Sequence, residues 1–67
     1  MRITVNGKAE SAADGATLAQ LLAQRKIRPE GVTVALNDAI VERARFEATV
    51  LREGDRLEFV FYMGGGV

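Results

Sequence analysis

The spacing of the apolar residues changes twice along this chain, and that narrows the folds open to it. Met1, Ile3 and Val5 alternate with Arg2 and Thr4, the period of two that marks a half-buried strand. Leu18, Leu21 and Leu22 then fall on one helical face. Val32, Val34 and Leu36 return to alternation, and Leu57, Phe59 and Phe61 repeat it. Strand patterns on both sides of a single helical one predict an α+β fold. A mixed sheet carries one helix packed across one of its faces.

The punctuation between these patterns sets the order of elements. Asn6-Gly7 is a hairpin signal, because both residue types tolerate positive φ. A second strand runs back over 8–12. Alanine is its only apolar residue type, which places it at an edge. Asp14-Gly15 closes this hairpin. Thr17 reads as a helix N-cap, with Gln20 as the return partner of a capping box. Arg25 and Lys26 are expected in the last turn, where positive charge suits the helix dipole. Arg28-Pro29 stops the helix, and Gly31 opens the next strand. Asn37-Asp38 turns that strand into a return over 39–41. The segment 42–49 fits either a helical turn or a loop pinned by Phe46, and Val50-Leu51 begins a short pairing. Glu53-Gly54-Asp55 is a turn before the last strand, 56–62. Leu57, Phe59 and Phe61 make that strand's inner face the most apolar in the chain, so it is expected at the centre of the sheet. If the first strand is central too, the two lie side by side and parallel.

Composition limits the function. A chain of 67 residues holds one domain and has no room for a deep catalytic cleft. Nine basic and nine acidic side chains cancel, so neither nucleic acid nor an anionic membrane is an expected partner. Without Cys or His the chain lacks a thiolate, an imidazole base and the commonest metal ligand. No metal-ligand spacing appears, and no apolar run is long enough to cross a bilayer. No charged-then-apolar leader opens the chain, so a cytoplasmic protein is expected. These absences argue against an enzyme and place any chemistry on a partner.

The chain ends Tyr62-Met63-Gly64-Gly65-Gly66-Val67. Three consecutive glycines add no packing and cost backbone entropy to order. The domain is therefore read as 1–62 and the remainder, 63–67, as a flexible tail. A frayed end is the plain alternative. The functional reading is a thread slender enough to enter a partner's channel. Val60 and Tyr62 share the outer face of the last strand and, with Met63, form a candidate docking surface beside the tail. The competing expectation is that neighbouring strands or loops cover them.

The same residues carry a resemblance. The pieces are I-T-V-N-G at 3–7, A-T-L-A-Q-L-L at 16–22, V-A-L-N at 34–37, V-E-R at 41–43 with Phe46 after it, and L-R-E-G-D-R-L-E-F-V-F-Y-M-G-G-G at 51–66. In order and spacing they resemble the ThiS sulfur carriers of thiamine biosynthesis, within the ubiquitin-like β-grasp fold. A β-grasp sheet of four to five strands is thereby implied. So is a stoichiometric carrier acted on by other enzymes. An E1-like adenylyltransferase would adenylate the Gly66 carboxylate with its own ATP and magnesium, while Gly64 and Gly65 thread the channel. A persulfide would then leave a thiocarboxylate for a thiazole synthase, and this chain would bind no cofactor itself. Members of the family are expected to end on the glycine, and here Val67 follows. The resemblance implies that Val67 is removed, by a trimming metalloprotease, or that the chain is not activated. Two other readings fit the same residues. One is a carrier for cysteine or homocysteine, molybdopterin or tungsten-cofactor synthesis. The other is a ubiquitin-like binding module that is never activated.

Overall fold

The computed structural model describes residues 1–62. Met63, Gly64, Gly65, Gly66 and Val67 lie outside the described residues. Strands β1 (Arg2–Val5) and β2 (Lys8–Ser11) form a hairpin, followed by helix α1 (Leu18–Gln24). Strands β3 (Val32–Leu36) and β4 (Ala39–Val41) form a second hairpin, and β5 (Arg56–Phe61) closes the domain. The sheet has five strands in the order β2-β1-β5-β3-β4. The central strand, β5, runs parallel to its neighbour β1, with Val5 beside Leu57. All other pairs are antiparallel.

Both hairpins turn on two residues with positive φ: Asn6 (50°) with Gly7 (83°), and Asn37 (50°) with Asp38 (73°). That geometry matches the right-handed twist of the flanking strands. Thr17 accepts from the Gln20 N–H through Oγ1 at 3.1 Å. The Gln20 side chain accepts in return from the Thr17 N–H at 2.9 Å, completing the capping box. Leu18, Leu21 and Leu22 are buried against Ile3, Val5, Val32, Val34, Leu57 and Phe59 of the sheet. This layer is the core.

Three local expectations are corrected, and one that was open is resolved. Arg25 and Lys26 lie beyond the last turn, since the helix ends at Gln24 and Arg25 is its C-cap. Lys26 takes a positive φ of 59°, and Arg25 pairs with Glu10 of β2. Gly31 ends a short 3₁₀ helix, Pro29–Gly31, and does not open β3. The segment 42–49 contains a 3₁₀ turn, Arg43–Arg45, and Phe46 after it is buried. Phe61 shares the inner face by parity yet is half-exposed. Helix α1 has seven residues, about 10 Å of length, and leaves the end of β5 uncovered.

Candidate functional site

The candidate site is the end of β5 and its neighbours on the outer face of the sheet. Alternation sends Leu57 and Phe59 into the core, and Glu58 and Val60 outward. Register then sets their companions. Val60 lies opposite Thr33, Glu58 opposite Ala35, and Ala35 opposite Ile40. Val60 is 62% exposed, Phe61 50%, Tyr62 61% and Ile40 67%, so no neighbouring element covers them. Scattered exposed apolar residues are ordinary. Val60 and Tyr62 stand together on the outer face at the end that leads to the glycines, so they are not scattered.

Tyr62 is held in place. Its N–H donates to the Gly31 carbonyl at 3.1 Å, and its hydroxyl lies 2.6 Å from Thr33 Oγ1. Tyr62, Thr33, Ile40, Pro29, Glu42 and Arg43 line an open cavity of about 460 Å³. It sits where β4 has ended and the first residues of β3 have no outer neighbour. The opposite end of β5 is polar. There Arg56 donates to Asp38 at 3.1 Å, and this bond with the nearby carboxylate charge raises the Arg56 pKa above its ordinary value. The outer face thus carries Val60 and Tyr62 at the tail end, beside Glu42 and Arg43, and the Arg56–Asp38 pair at the other end.

Val60 and Tyr62, expected from the sequence to be a docking surface, are both on that face and exposed. Met63, Gly64, Gly65, Gly66 and Val67 fall outside the described residues. The exposure of Phe61 and Ile40 was not expected from the sequence. Phe61 has the parity of a core residue, and only helix length shows that the core stops before it. Ile40 sits in a three-residue strand, too short to show a period. Among the described residues no group of three or more Asp, Glu, Cys or His side chains is placed to hold a metal. No helix among them is long and apolar enough to cross a membrane.

A five-stranded mixed sheet with its central strand parallel to one neighbour and one helix across it is the β-grasp of ubiquitin-like domains. The sequence model of the ThiS family matches residues 3–66, and the chain belongs to that family. The crystal structure of the thiamine biosynthesis protein ThiS from Geobacter metallireducens superposes with a TM-score of 0.84 at 42% identity, covering 98% of this chain and 100% of that one. The sulfur carrier protein ThiS of Escherichia coli is 32% identical over 66 residues, 98% of this chain and 100% of that protein. A thiazole synthase of Magnetococcus marinus is 42% identical over 66 residues, 98% of this chain and 20% of that protein. The chain spans about a fifth of the length of the thiazole synthases it matches.

Proposed function

We propose that this chain is a sulfur carrier of thiamine biosynthesis and that its reactive group is the Gly66 carboxylate, freed by removal of Val67. The observation that carries the proposal is the extent of the family match, which runs from residue 3 through residue 66 and stops immediately before Val67. The relative in Escherichia coli is named a sulfur carrier, and the longer relatives are named thiazole synthases. These names support a thiazole synthase as the enzyme that receives the sulfur.

The chemistry belongs to partners. In an E1-like adenylyltransferase the Gly66 carboxylate oxygen attacks the α-phosphorus of ATP, and pyrophosphate leaves. The terminal sulfur of a persulfide then attacks the acyl carbon and displaces AMP. A thiol cleaves the resulting acyl disulfide and leaves a thiocarboxylate on Gly66. ATP and magnesium are the activating enzyme's, and this chain supplies no catalytic group.

The carrier's own task is delivery. Residues 63–66, fully extended, reach at most ~14 Å beyond Tyr62, so the nucleotide must lie within that distance of the docked surface. Gly64 and Gly65 have no Cβ and can follow a narrow channel at any φ. Gly66 leaves its acyl carbon open to attack. A β-branched Val67 crowds and stiffens the end, and a trimming metalloprotease is the fitting remedy. Val60 and Tyr62, with Met63, dock the partners, and Ile40 extends that surface.

The test compares chains 1–66 and 1–67 with the activating enzyme and ATP, read as pyrophosphate release. The shorter chain is expected to react about a hundredfold faster, the order of loss when a reacting atom is displaced. Equal rates would overturn the role given to Val67. Supplying a persulfide donor and a thiazole synthase to the adenylated chain tests the pathway. Sulfur passed instead to a cysteine or homocysteine synthase would reassign it.

A further inference from the structure

Tyr62 is the last residue before the tail, and two separate bonds tie it to the β3 side of the sheet. Its N–H to Gly31 carries the β3–β5 ladder one residue past the end of β5 at Phe61. Its hydroxyl to Thr33 Oγ1 lays the ring back across β3 on the outer face. A strand end held by one main-chain bond frays readily. A second bond from different atoms of the same residue opposes rotation about the first. No burial is needed for this, since Tyr62 is exposed.

We propose that the Thr33–Tyr62 pair is a latch that sets the direction in which the glycine tail leaves the domain, which makes both of them positioning residues for activation of Gly66. The proposal rests on the carrier reading above. With the latch closed, Tyr62 is fixed at one place and one heading. With it open, Tyr62 takes more orientations, and fewer of them aim the chain beyond it at a partner's channel. Val60 and Ile40 remain in place either way, and Tyr62 stays in the docking surface through its main-chain bond to Gly31, so docking is conserved. The loss therefore falls on kcat and not on KM.

Thr33→Val removes the hydroxyl and keeps the branched shape a strand favours, and Thr33→Ser restores the hydroxyl. Two measurements decide the matter. In the full chain, hydrogen exchange at the Tyr62 amide is expected to speed up about fivefold in Thr33→Val, the loss of one net hydrogen bond, and to return towards the unaltered rate in Thr33→Ser. With chain 1–66, kcat for adenylation is expected to fall about fivefold in Thr33→Val at constant KM, and to recover in Thr33→Ser. Unchanged exchange at Tyr62 overturns the latch. Faster exchange with unchanged kcat overturns its positioning role. Failure of the unaltered 1–66 chain to be adenylated overturns the carrier reading, and the role in activation falls with it.

Discussion

At the scale of the residue, two asparagines do more than turn the chain. Asn6 and Asn37 each begin a two-residue hairpin loop, as their sequence context predicts. Each side chain also reaches the central strand. Asn6 Oδ1 accepts from the Phe59 N–H at 2.8 Å, and Asn37 Oδ1 accepts from the Arg56 N–H at 2.9 Å. The Asn37 amide further donates to Asp55 Oδ1 at 3.0 Å. The turns of both hairpins therefore stitch themselves to β5, the strand that carries the tail. Asn37→Ala loses both side-chain bonds and places a Cβ-bearing residue without local compensation at positive φ. It is expected to cost ~2–3 kcal/mol, and Asn37→Gly, which keeps the φ, ~1–2 kcal/mol. Urea unfolding at constant m measures both. Identical midpoints for the two variants and the parent would contradict this account.

At the scale of the element, α1 depends on its surroundings. A helix of seven residues has too few internal bonds to stand alone. Its leucine stripe and capping box were legible because both are periodic or local signals. The remaining support is not local. The Leu18 N–H donates to the Thr49 carbonyl at 2.8 Å, and the Ala19 N–H to the Phe46 carbonyl at 3.0 Å. The segment 42–49 thus satisfies helix donors that have no partner within the helix. This explains why 42–49 resisted assignment: one 3₁₀ turn shows no period, and its carbonyls are committed to an element more than twenty residues earlier. Phe46 and Leu51 are buried there as single anchors. Thr17→Ala is expected to cost ~1 kcal/mol by loss of the cap. Leu22→Ala, at a fully buried position, should cost ~2–5 kcal/mol. Thermal unfolding followed by circular dichroism ranks them, and a larger loss at Thr17 than at Leu22 would mean that the cap, and not the stripe, holds the helix.

At the scale of the whole molecule, the sheet separates two tasks by face. The inner face with α1 supplies stability. Among the described residues nothing covers Val60, Tyr62 and Ile40 on the outer face. Substitution of the apolar residues on that face should therefore affect partners more than folding. Val60→Asp with Ile40→Asp is expected to raise KM for adenylation about tenfold or more, the effect of losing well-placed interface contacts. The same pair should cost the fold no more than ~1–2 kcal/mol, the span of strand propensities at two positions. A stably folded double variant with unaltered KM would show that activation does not use this face.

The sequence by itself determined what depends on neighbours a few residues apart: alternation and its phase, the helix stripe and cap, the turns, and the order of elements around one helix. Leu57, Phe59 and Val60 were assigned to their faces on parity alone, because a strand has only two. Tertiary structure decided where each face stops being covered. Phe61 has core parity and is half-exposed because α1 is shorter than the strand it covers. Tyr62 gains a hydroxyl partner in Thr33 only through the β3–β5 register, 29 residues away. Periodicity is a local property of the chain, whereas coverage and register depend on how separate segments come together.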